Sequence, residues 1–162
     1  MKKTLAMIAC SLATAALAAP TASEPAISTD AAMQIASAAL AACRQDKQKV
    51  AVTVVDPAGR IKVQLRDDGS APHTLEHSFR KAYTALSYKM PSAEYGKRAK
   101  ESGGAIGPQL LPGITSAAGG FPIMVAGNVV GAVGVSGTPS SGGGGEHDGK
   151  CAQQGIAKAL GD

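Results

Sequence analysis

Aromatic side chains are scarce: the 162 residues hold no tryptophan, two phenylalanines and three tyrosines. That is poor material for a deep aromatic pocket around a large planar ligand. A dominant charge is missing as well, with Lys and Arg at 16 against Asp and Glu at 12. No run of about twenty apolar residues is available to span a bilayer. Several catalytic signatures are absent too. There is no G-x-S-x-G elbow, no G-x-G-x-x-G, no phosphate-binding loop, no HExxH and no CxxCH. Gly142 to Gly145 resemble a phosphate cradle only superficially, since no Gly-Lys-Ser/Thr ending follows, and they read as a flexible loop.

What is there begins with a leader. MKKTLAMIACSLATAALA (1–18) has Lys2 and Lys3, a short apolar stretch and a small-residue end at Ala16-Leu17-Ala18. It reads as a secretory signal peptide cleaved before Ala19, with a fallback cleavage after Ala22. Lipidation at Cys10 is disfavoured because the apolar run ahead of it is too short. Cleavage would remove two lysines and one cysteine, leaving 14 cationic against 12 anionic side chains. That balance argues against nucleic acid or a membrane surface as a partner. The expected product is a soluble periplasmic or secreted protein, with 19–27 as a disordered leader and 28–162 as one domain. About 140 residues suffice for one such core, not two.

Two cysteines then remain, Cys43 and Cys151. In an oxidising compartment a distant pair reads as one disulfide, which could contribute up to about 4–5 kcal/mol by closing a long loop. Two free buried thiols are the alternative, with a metal site behind them.

Periodicity gives the order α, β, β, α, α, β, β, α. Ser28 offers an N-cap to the first helix, which ends near Cys43. VAVTVVD (50–56) and RIKVQLR (60–66) form a hairpin across Pro57-Ala58-Gly59, and FPIMVA (121–126) and VVGAVGVSG (129–137) form a second across Gly127-Asn128. AEYGKRAKE (93–101) is a short helix, and LLPGI and ITSAA within 102–120 are candidate short strands. The last helix starts at Cys151, after a loop over 138–150. Two hairpins force antiparallel pairing, so the fold class is α+β, a central antiparallel sheet with helices packed on it.

HTLEHSFRKAYTALSYKM (73–90) holds most of the chemistry. On a helical wheel Leu75, Phe79, Ala82, Leu86 and Met90 share one arc, read as the core face. His73, His77, Arg80, Lys81, Thr84 and Tyr88 gather opposite. His73 and His77, four residues apart, could grip a transition metal, but no third ligand stands at a telling spacing. A solvated helix face is the plainer reading of the two. The third reading is haem, with His73 or His77 as an axial imidazole, Tyr88 as a phenolate alternative, and Arg80 and Lys81 near the propionates. Attachment would be noncovalent and shallow, or between subunits. No distal acid–base pair is evident, which argues against an efficient enzyme. His147, in the glycine loop, reads as solvated surface.

The joint pattern of VAVTVVDPAGR, LRDDGSAPHTLEHSFRKAYTAL, PSAEYGKR, LLPGI with AAGGFPI, VVGAVGVSGTPS and CAQQGIAKAL resembles the GlcG/HbpS-like haem-binding family from about residue 30 onward. The resemblance implies a profilin-like sandwich, export in many members, homo-oligomers up to octamers, and storage, sensing or handling of haem. A membrane sensor protein is a partner class it admits. The segment matching DGSAPHT lies at the family's haem site, which carries over to His73 and Thr74. His73 is then the preferred iron ligand, Thr74 and His77 are secondary, and Thr84 is a further candidate contact. An acidic D-E-x-C-like string before the last helix reads Asp148-Gly149-Lys150-Cys151 here, which puts the second carboxylate in doubt.

Overall fold

A computed structural model describes residues 23–103, 111–139 and 145–161. The expected signal peptide and cleavage positions lie outside the described residues, as do Cys10 and Gly142 to Gly144.

The helices are α1 (Thr29–Gln45), α2 (Thr74–Tyr88), α3 (Ser92–Glu101) and α4 (Glu146–Leu160). The strands β1 (Ala51–Val55), β2 (Ile61–Arg66), β3 (Gly120–Val125) and β4 (Asn128–Ser136) form one antiparallel sheet in the order β2-β1-β4-β3. The α+β class is therefore observed. The Ser28 hydroxyl accepts from the Ala31 N–H and caps α1 as expected. In the first hairpin the Asp56 carboxylate accepts from the backbone N–H of Ala58 and Arg60, both at 3.0 Å, closing the turn. The second hairpin turns one residue earlier than expected, at Ala126-Gly127, both with positive φ, and Asn128 already belongs to β4.

Three further boundaries differ from the sequence reading. Ile27, assigned to the leader, is buried and its N–H donates to Val130 O at 2.8 Å, so the ordered chain starts before the first helix. Residues 111–119 contain no strand; Ile114 is simply a buried loop residue. The last helix begins at Glu146, five residues ahead of Cys151. Glu146 and Asp148 place negative charge in its first turn, which the helix dipole favours.

The sheet has a helix layer on each side. Val50, Val52, Val54, Val63, Val133 and Val135 pack with Ile35, Ala39 and Leu40 of α1 and Ala152 of α4 to form the main core. On this side Cys43 and Cys151 are joined in a disulfide with α-carbons 5.5 Å apart, so the first and last helices do lie together. On the other side α2 crosses β1 and β4 above Val55 and Ala132, in a smaller cluster with Ala82 and Ala85. No helix among the described residues is long and apolar enough to cross a membrane.

Candidate functional site at the start of helix α2

The turn that delivers α2 is fastened at both ends. Arg44, at the end of α1, forks onto Asp67 through Nε (3.0 Å) and Nη2 (2.7 Å). These hydrogen bonds hold the Asp67 carboxyl below the usual carboxylate range. The Ser70 N–H donates to Asp67 O, and the Ser70 and Thr74 hydroxyls share a hydrogen bond of 2.9 Å. His73 occupies the N-cap position without capping through its side chain, so its exposed imidazole is left to solvent.

The face that α2 buries is not the one expected. Thr74, Ser78, Lys81, Ala82, Thr84 and Ala85 face inward, whereas Leu75, Phe79, Leu86 and Met90 are only partly buried. The reason lies in the strands beneath. A Cβ on Gly134 would come within 2.1 Å of Ser78 O, and one on Gly120 within 2.0 Å of Lys81 O. The helix backbone rests directly on the sheet, and only small or flexible side chains fit between. Polar groups trapped there are paired: the Thr53 and Ser78 hydroxyls at 2.7 Å, and Gln64 Nε2 donating to Thr53 Oγ1 and to Leu75 O.

Lys81, read from sequence as an exposed cation, is 2% exposed. Its ammonium donates to Asp148 Oδ2 at 2.7 Å and to Val135 O at 3.0 Å. Asp148, also almost fully buried, accepts a second bond from the Thr138 N–H through Oδ1. Burial pushes the Lys81 ammonium below the ordinary lysine range, and Asp148 offsets part of that. No local pattern announces this pair, since the partners are 67 residues apart. The Asp148-Gly149-Lys150-Cys151 string did single out the carboxylate, but not what it holds.

Around this pair lies a cavity of about 360 Å³ that brings His73, Thr74 and His77 together with Lys81, Ser136 and Asp148. The His77 Nδ1 and the Ser136 hydroxyl are 3.2 Å apart, which leaves Nε2 for another partner. Burial holds the His77 imidazole below the ordinary histidine range; Lys81 adds to the depression, Asp148 opposes it, and His73 and Arg80 add less. The other sequence-selected residues lie elsewhere. Arg80 pairs with Glu76 on the exposed face. Thr84 is buried, donates to Arg80 O and accepts from the Thr115 N–H. Tyr88 stacks on Tyr95 with ring centroids 4.2 Å apart. His147, expected on the surface, is half-buried against α1, with Nε2 3.0 Å from Asp46 Oδ2.

A four-residue-spaced imidazole pair, one free and one oriented from behind, is a donor set for a transition metal or a metalloporphyrin edge. The chain is similar to several known proteins. The family model described as "Haem degrading protein HbpS-like" matches residues 27–157. Protein GlcG of Escherichia coli K12 is 35% identical over 107 residues, 64% of this chain and 78% of its own. The crystal structure of HbpS is 36% identical, with a TM-score of 0.81 over 92% of this chain and 100% of that one. The crystal structure of a PduOC–haem complex is 25% identical, with a TM-score of 0.74 over 84% of this chain and 96% of that one. With a match running from the buried Ile27 into the last helix and the same fold throughout, this chain belongs to the HbpS-like family.

Proposed function

We propose that this protein binds haem noncovalently at the α2 cavity and, once exported, stores, buffers or presents it as a homo-oligomer. The observation that carries this reading is the pair His73 and His77, one helical turn apart on the wall of a cavity whose floor is the Lys81–Asp148 ion pair. A relative solved with haem has the same fold. The signal-like first eighteen residues support export.

The residues fit the group. His73 would be the residue to hold the iron, being exposed and not spent on capping, and His77 stands one turn behind it with its outer nitrogen left for a partner. Bound haem would supply an iron centre able to take a small second ligand. The chain's own part is to orient an imidazole, satisfy the porphyrin's polar edge and exclude some water. Two of the three Lys81 ammonium N–H groups are already engaged, so a propionate has at most one to use, and Arg80 is turned to the outer face. At about 360 Å³ the cavity is near the lower end for small-molecule sites, roughly 300–1,000 Å³. A macrocycle would not be enclosed by it alone, and a second subunit would serve as cover.

Titration of the processed protein with haem, followed by absorption and size-exclusion chromatography, tests this. A Soret band with saturable stoichiometry is expected, weakened in His73→Ala and kept in His147→Ala. Full affinity in the His73→Ala/His77→Ala double variant would overturn the site. The family's description favours a second reading, slow oxidative breakdown of the bound haem. Bleaching under peroxide much faster than that of free haem supports it, and equal rates exclude it.

A further inference from the structure

The first turn of α4 looks two ways. Successive helical residues diverge by about 100°, so while Asp148 reaches Lys81 beneath α2, its neighbour His147 turns toward the end of α1. There a ring nitrogen of His147 and the sulfurs of Cys43 and Cys151 all lie within 4.8 Å of one another. The Nε2 atom is enclosed and has no hydrogen-bond partner among the described residues. Its 3.0 Å approach to Asp46 Oδ2 lacks hydrogen-bond alignment. A buried imidazole nitrogen left unsatisfied costs stability, and an imidazole beside two sulfurs offers the donor types a metal ion requires.

We propose that the Cys43–Cys151 disulfide is the oxidised, metal-free form of a Cys2His site for a borderline or soft cation of the zinc or copper(I) class, with Asp46 or water completing the set. The redox step is a two-electron exchange. A thiol or dithiol reductant is oxidised to its own disulfide, the Cys43–Cys151 bond breaks, and each sulfur takes a proton. Metal binding then releases the thiol protons to solvent. The geometry suits this. With Zn–S about 2.3 Å and Zn–N about 2.0–2.1 Å, tetrahedral donors sit roughly 3.5–3.8 Å apart, and cysteine α-carbons at 5.5 Å reach that by side-chain rotation. The metal would take over the disulfide's task of holding α1 to α4 under reducing conditions. It does not depend on haem, since its ligands are on the opposite side of the sheet from α2.

The test uses the haem-free full chain carrying Cys10→Ser, so that the third cysteine supplies no thiolate. It is compared oxidised and after reduction with a phosphine, which is then removed. Cobalt(II) is expected to bind the reduced chain one to one with a thiolate-to-cobalt charge-transfer band, displaced by one equivalent of zinc. The oxidised chain should show no such band. His147→Ala should weaken zinc binding at least about tenfold, by comparison with losses seen for residues that merely support ligands. Cys43→Ser should abolish the band. Far-ultraviolet circular dichroism reports whether each form is folded. Three results would overturn the proposal: no charge-transfer band in the reduced chain, wild-type zinc affinity in His147→Ala, or a reduced chain that is unfolded with and without zinc.

Discussion

The two faces of the sheet solve the same packing problem in opposite ways. Toward α1 and α4, valines fill the gap with large apolar side chains, and the stabilisation scales with the area removed from water. Toward α2 the strands present Ala132, Gly134 and Ser136, and the helix comes down until its carbonyls touch the sheet. There, stability rests on close approach and on pairing the polar groups trapped between helix and sheet, among them the Lys81–Asp148 pair. The first kind of face tolerates modest change. The second is exacting, and it is the one that adjoins the histidine cavity. Specific chemistry is positioned where the packing leaves least freedom.

Substitutions on either face can break or sharpen that contrast. The largest effect is expected for Lys81→Met, which strands the Asp148 carboxylate in the interior: about 3–5 kcal/mol of stability, read from urea unfolding. Adding Asp148→Leu should return part of it, because the stranded charge is gone even though the Thr138 N–H loses its acceptor; no recovery would mean that the pair itself is indispensable. Next come two neighbours in β4. Gly134→Ala forces α2 upward and should cost about 1–3 kcal/mol while weakening haem binding. Val133→Ala, facing α1 and α4, should cost about 2 kcal/mol and leave haem binding alone. If haem affinity follows stability equally in both, the contrast between the faces is wrong. The smallest effect is at the rim. Since Arg44 lowers the Asp67 carboxyl below its unfolded value of 3.8, its contribution is present above pH 3.8 and is lost as pH falls through the folded value. Asp67→Asn should therefore lower the unfolding midpoint at neutral pH, with the difference closing in acid.

The asymmetry of the sheet was partly legible. Alternation of small residues with valine in VVGAVGVSG places Ala132, Gly134 and Ser136 on one side and Val133 and Val135 on the other. That pattern signals a helix packed very close on the small side. Reading α2 by hydrophobicity alone misses it, because Leu75, Phe79 and Leu86 are too bulky for so narrow a gap and settle at its margins. The early start of α4 was hidden by the glycines ahead of it, although Glu146 and Asp148 are favourable first-turn residues.

The histidine pair belongs to the legible part as well: four-residue spacing on a helix dictates that His73 and His77 share a side. What they share that side with was not. By itself the sequence determined the element order, the two hairpins, the antiparallel sheet and the identity of the two cysteines able to pair, because each follows from local periodicity, turn chemistry or a single possible connectivity. Only the tertiary structure decided that Lys81 is buried on Asp148, that Arg80 and Thr84 lie away from the cavity, and that His147 faces the disulfide. Those outcomes depend on which distant backbones come close enough to touch, and a helix wheel carries no information about the surface it lands on.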